Sequence, residues 1–186
     1  NGGPNGANSN FIGIDSFTYN APTQHVLDFD GDSRTDYSVL RNTGGGASGQ
    51  LTWFQSFADG SGGFTQPWGI ATDFVMPEDF DGDNKTDIAV WRAGPPFGAF
   101  FYIFESSTST LRTVTFGQSG DDPTVTTDYT GDGKADPAVY REGANPGDPS
   151  YWYYLASNGP LNGEIVFTQM GKNGDFPAPG DYDGDG

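Results

Sequence analysis

The sequence has no cysteine and a single histidine, His25. Without cysteine there is no disulfide framework, although bound metal ions can staple loops in its place and secretion stays open. With no serine set in a nucleophile motif there is no catalytic triad, and His25 reads as an ordinary strand or loop residue. No apolar run approaches the roughly 20 residues a membrane-spanning helix needs. Helical periodicity is missing as well. Cations are scarce: 8 Lys and Arg against 25 Asp and Glu give a net charge of -17, which repels phosphate and excludes nucleic acid as a partner. A starting Met and a signal peptide are absent, so a mature or excised fragment is expected. Residues 1–10, "NGGPNGANSN", read as a flexible leader.

Aliphatic residues are few. Leu, Ile, Val and Phe number 35 of 186, and at this charge that composition alone points toward disorder. Two features oppose it: 28 residues are aromatic, and the sequence is periodic. The acidity is one-sided, with 21 Asp and only 4 Glu. Surface acidity for solubility would use both. Asp, with its short side chain, tolerates tight turns, so the excess suggests loops built around something.

The loops recur. "DFDGDSRTD" starts at Asp28, "DFDGDNKTD" at Asp79, "DYTGDGKAD" at Asp128 and "DYDGDG" at Asp181. Each complete copy runs into a short apolar strand ending in Arg ("YSVLR", "IAVWR", "PAVYR"), then a Gly-rich loop and an aromatic strand ("LTWFQSF", "AFFYIFES", "YWYYLAS"). A turn and a further strand follow, the latter ending at Trp68-Gly69, Phe116-Gly117 and Met170-Gly171, before a short segment that carries Asp. About four short strands in about 50 residues predict an all-β fold of propeller blades, each of about four antiparallel strands. The expected organisation is a repeat region over residues 11–186 with three complete repeats and partial ends, forming part of a ring. A β-solenoid is the alternative architecture. The aromatics are expected to fill the space between blades, and Arg41, Arg92 and Arg141 to pair with a neighbouring blade's Asp.

Carboxylates at positions 1, 3, 5 and 9 of one loop repel each other unless a cation lies between them. These are Asp28, Asp30, Asp32 and Asp36 in loop one, and Asp79, Asp81, Asp83 and Asp87 in loop two. Loop three offers Asp128, Thr130, Asp132 and Asp136, one charge fewer; loop four offers Asp181, Asp183 and Asp185 and lacks position 9. Oxygen-only ligands favour a hard cation, and Ca²⁺ accepts six to eight oxygens in a flexible cage. Gly31, Gly82 and Gly131 at position 4 permit the bend. The cationic residues at position 7, Arg34, Lys85 and Lys134, would offer a backbone carbonyl and turn their side chains to solvent. Three Ca²⁺ sites and an incomplete fourth are expected. Glycine at position 4 and the absence of Glu at position 12 exclude an EF-hand.

"DFDGDNKTDIAVWR" and its counterparts resemble FG-GAP/VCBS-type repeats, relatives of the integrin alpha-chain propeller blades. The resemblance covers about residues 28–186. Only Phe116-Gly117 keeps the Phe-Gly half of the family's name, and "PAPG" at Pro177–Gly180 approximates the rest. It implies a β-propeller with structural Ca²⁺ and an extracellular or cell-surface setting, often bacterial. The resulting expectation is a non-enzymatic, Ca²⁺-stabilised structural or adhesion module with a glycan or protein ligand. A lectin propeller and a piece of a Ca²⁺-dependent polysaccharide-degrading enzyme are the alternatives. Its expected partners are other repeats of a longer parent chain or a second copy, because an open set of blades leaves strand edges unpaired.

Overall fold

The computed structural model describes residues 27–180 and Tyr182. The expected leader, His25, Asp181, Asp183 and Asp185 lie outside the described residues. The all-β expectation holds: ten strands form three antiparallel sheets. Sheet I runs β1 (Tyr37–Asn42), β2 (Gln50–Ser56) and β3 (Thr65–Ile70). Sheet II runs β4 (Phe74–Val75), β5 (Ile88–Arg92), β6 (Phe100–Phe104) and β7 (Leu111–Thr115). Sheet III runs β8 (Ala138–Arg141), β9 (Pro149–Leu155) and β10 (Ile165–Lys172). Strand order follows chain order within each sheet, as short hairpin connections require.

Among the described residues, four strands occur only in sheet II. At the corresponding place in sheet III a single bridge joins Asp122 to Tyr140. Pro123 follows, has no N–H for a ladder, and opens a short 3₁₀ turn over Pro123–Val125. Pro137 stands just before β8 and still accepts the Leu155 N–H on its carbonyl at 2.9 Å. Among the described residues the sheets do not close a ring.

Alternation along the strands gives each sheet two apolar faces. Registers Leu40↔Trp53, Trp91↔Phe101 and Tyr140↔Trp152 place these pairs equivalently in the three sheets. Between sheets I and II lie Phe29, Trp53, Ile88 and Val90, flanked by Trp68 and Tyr102. Between sheets II and III lie Phe80, Trp91, Phe101 and Phe116, met by Val139 and Tyr153. Sheet II is thus covered on both faces, and Ile88 to Trp91 of β5 are all buried. Burying such a side chain is worth about 1.5–3 kcal/mol. The indoles keep their hydrogen bonds: Trp53 donates to the Trp68 carbonyl (3.1 Å), Trp68 to that of Tyr102 (3.0 Å) and Trp91 to that of Phe116 (2.9 Å).

Two of the three recurring arginines pair with aspartate. Arg92 makes a two-pronged ion pair with Asp73 at 2.7 and 2.8 Å and lies 4.8 Å over the Tyr102 ring. Arg141 repeats this with Asp121, at 2.7 Å for both prongs, and with Tyr153. Arg41 lies 4.9 Å over Phe54. Asp73 follows Gly69, whose φ of +84° and closeness to Val90 (2.8 Å from a Cβ to Cγ1) leave no room for another residue.

Candidate metal centre

Each Asp loop precedes the first long strand of its sheet and folds on its own hydrogen bonds. The position 1 carboxylate gathers backbone N–H groups from positions 4 and 6. Asp28 accepts from Gly31 (2.7 Å) and Ser33 (2.8 Å), Asp79 from Gly82 (2.6 Å) and Asn84 (2.8 Å), and Asp128 from Gly131 and Gly133 (both 2.7 Å). These bonds curl the chain twice into left-handed backbone. Gly31, Gly82 and Gly131 occupy the first such place (φ +85°, +82°, +69°), as expected, and Ser33, Asn84 and Gly133 the second. The position 5 carboxylate then accepts the N–H of position 7 in loops one, two and three, at 2.9 to 3.0 Å.

Position 9 has a job that the sequence did not reveal. Asp36, Asp87 and Asp136 are buried and each bridges two backbone segments. One oxygen accepts the N–H of position 2 (Phe29, Phe80, Tyr129) at 2.8 to 2.9 Å. The other accepts an N–H from the turn after the second long strand: Ala58 (2.8 Å), Ser106 (2.7 Å) or Ser157 (2.8 Å). The carboxylate therefore ties the Asp loop to the far end of its own sheet.

The carboxylates converge in two of the loops. Oxygens of Asp28, Asp30 and Asp32 lie within 4.8 Å of one another, as do those of Asp79, Asp81 and Asp87. Oxygens sharing a Ca²⁺ at 2.3–2.6 Å lie within roughly 5 Å of each other, so both sets fit one ion. Asp36 and Asp83 stand outside these two clusters, and loop three forms none among the described residues. In loop three Thr130 places its hydroxyl 3.0 Å from that of Ser157. In loop two the corresponding turn supplies Ser106, which donates to Asp83 (2.9 Å), and Ser107, which donates to Asp81 (2.6 Å).

Loop two holds charge at a cost. Burial, with crowding by Asp81, pushes Asp87 up to about 7, against the pull of its two N–H donors. Burial and the neighbouring carboxylates also raise Asp79, against the pull of Gly82 and Asn84. Glu78, passed over in the sequence, is pushed up to about 8 by burial and by Asp79. A divalent cation would offset all three.

At position 7 Arg34 and Lys134 are exposed, as expected, and Lys85 is half-buried. Lys85 does not simply turn to solvent: its stem lies across Gly31 of loop one, and that of Lys134 across Gly82 of loop two. Glycine leaves a flat seat for the methylenes. Arg34 stays exposed, with Asp32 at 3.7 Å. The loops are also joined by backbone: the Thr86 N–H donates to the Asp28 carbonyl (2.6 Å) and the Ala135 N–H to that of Asp79 (2.7 Å).

Comparison with family models, with curated proteins and with solved structures finds no match.

Proposed function

We propose that the protein is a calcium-stabilised structural or adhesion module whose sheets are propeller blades held by ions in their Asp loops. The convergence of three carboxylates within 4.8 Å in loops one and two carries this reading. The ligands are hard oxygens on a curled backbone, which suits Ca²⁺ over softer metals. Loops one and two take an ion most strongly, and loop three more weakly because Thr130 brings no charge. The setting proposed is secreted or cell-surface, where sites in extracellular modules bind Ca²⁺ at roughly 10⁻⁴–10⁻³ M. The strand aromatics Trp53 and Phe101 are fully buried and act as core rather than as sugar platforms. No residue is assigned a catalytic role.

Calorimetric titration with Ca²⁺, alongside thermal melts in EGTA and in millimolar Ca²⁺, tests the reading. Two sites filled in the millimolar range or tighter, and a lower melting temperature in EGTA, are expected. A melt indifferent to complete metal removal, with no heat of binding, overturns it.

A further inference from the structure

Sheet I meets sheet II through one set of positions, and sheet II meets sheet III through the same set. Val90 of β5 belongs to the layer around Trp53, and Val139 of β8 takes the matching place in the layer around Phe101. Trp152 is the third member of that series, opposite Tyr140. Among the described residues no further sheet covers it. Tyr129, Trp152, Tyr154 and Met170 line an open groove of about 530 Å³ that extends to Tyr182. Met170 is 67% exposed. Trp68, its counterpart in sheet I, packs 5.2 Å from Phe104 of the next sheet.

The opposite end of the molecule has the complementary surface. Tyr37 and Val39 of β1 are exposed, although Ile88 and Val90 at the same strand positions are buried against the preceding sheet. The ion pairs tell the same story. Arg92 reaches back to Asp73 and Arg141 to Asp121. Arg41 meets no carboxylate among the described residues, and Asp175 meets no cation among them. Asp175 is nonetheless shaped like Asp121: it accepts the Lys172 N–H at 2.9 Å, as Asp121 accepts that of Gln118. Among the described residues, one end thus carries an arginine without its aspartate, and the other an aspartate without its arginine.

We infer that sheet I of one chain docks on the outer face of sheet III of a second copy, Val39 entering the groove over Trp152 and Arg41 pairing with Asp175. The occupant is another copy because the surface that fits the groove is one this chain itself presents, down to the charge. The two internal sheet contacts supply the geometry. The inference rests on sheet packing and is independent of the metal reading. A contact between unlike faces either closes a ring or runs on as a filament.

Sedimentation of the full chain in Ca²⁺ tests it, with circular dichroism confirming that each variant keeps its sheets. The wild type should sediment at twice the chain mass or more. Val39→Asp blocks one face and Met170→Asp the other; both positions are exposed, so the fold should survive. Each variant alone should be monomeric, whereas their equimolar mixture should form a dimer, because each contributes one intact face. If either variant loses its sheet signal, the charge pair replaces it. Arg41→Glu and Asp175→Arg should each weaken association about tenfold or more, and the double variant should restore it. A monomeric wild type overturns the inference, as does a mixture no heavier than its parts. A monomer that associates once residues 1–26 are removed would assign one of the faces to that segment instead, and would equally overturn it.

Discussion

Loops two and three share a frame and differ in charge. Asp79 and Asp128 gather the same two N–H groups, and Asp87 and Asp136 tie the same two segments together. Yet loop two draws three carboxylates together, and loop three, with Thr130 in place of Asp81, forms no such cluster among the described residues. Shape and charge are therefore separable. Positions 1 and 9 hold the loop through hydrogen bonds, and the residue at position 3 distinguishes the loop whose carboxylates converge from the one whose carboxylates do not. A four-carboxylate loop invites the view that repulsion makes the metal obligatory for folding. Loop three argues that the curl stands on its backbone bonds.

The largest effect should come from breaking the shared frame. Asp136 is fully buried, and Asp136→Ala leaves the N–H groups of Tyr129 and Ser157 without their acceptor. Hydrogen bonds to charged groups are worth about 1.5–3 kcal/mol each, so a loss of about 3–6 kcal/mol is expected. Urea unfolding in EGTA measures it. Asp87→Ala should cost a similar amount without metal and more with it. If Asp136→Ala unfolds no more easily than Asp132→Ala, position 9 is not the tether.

Next in size is the exchange of charge between the loops. A ligand that binds only the native state adds about 2.7 kcal/mol at a hundredfold excess over Kd. Asp81→Thr should remove about that much of the Ca²⁺-dependent stability, and Thr130→Asp should add a comparable increment from a strengthened third site. Melting curves at increasing Ca²⁺ read both. Indifference of loop three to the added carboxylate would mean that something other than charge separates the two loops.

The sequence made much of this legible. Strand positions, the all-β class and the arginine pairs were readable because each rests on local chemistry: alternation, turn residues and a recurring Arg. The glycines at position 4 were readable for the same reason. Less local features were hidden. The tether from Asp136 spans 21 residues to Ser157, and no spacing rule points to it. Ser106 and Ser107 sit in "SSTST", an ordinary turn by composition, and gain meaning only when β6 delivers them to Asp83 and Asp81. Lys85 looked like a solvated side chain because its seat, Gly31, belongs to a loop 54 residues earlier. Glu78 matched no repeated ligand position, and its burial follows from the pairing of its backbone with Asp87.

That burial makes loop two the more pH-sensitive of the pair in the absence of metal. Glu78 is raised from 4.5 to about 8 and Asp87 from 3.8 to about 7, and Thr127 stands at the Glu78 position in loop three. A raised carboxylate keeps its proton in the folded chain after the unfolded chain has lost it. The stability it contributes is complete below about pH 4 and is lost as pH rises through about 7 to 8. In EGTA the protein should therefore lose stability between pH 4 and 8, on the order of 2 kcal/mol once residual solvation is allowed for. Glu78→Gln should flatten the slope. A metal-free stability that rises across this window would show that the N–H donors outweigh burial.

The smallest effect is the one that best tells the loops apart, because it crosses between them. Lys134 belongs to loop three by sequence, but its stem lies over Gly82 of loop two. The position of that stem predicts that its charge acts on the Asp79, Asp81 and Asp87 cluster. Lys134→Met keeps most of the stem's packing and removes the ammonium, so loop two should bind Ca²⁺ more tightly. The group is exposed and screened by solvent, which limits the gain to less than about 1 kcal/mol, or a few-fold in affinity. The gain should shrink as salt is added. Loop three should respond less, although the substitution lies within its own nine residues. Lanthanide luminescence in backgrounds carrying Asp81→Thr or Asp132→Ala separates the two sites. A change confined to loop three would mean that the lysine acts on its own loop and that the contact with Gly82 is packing alone.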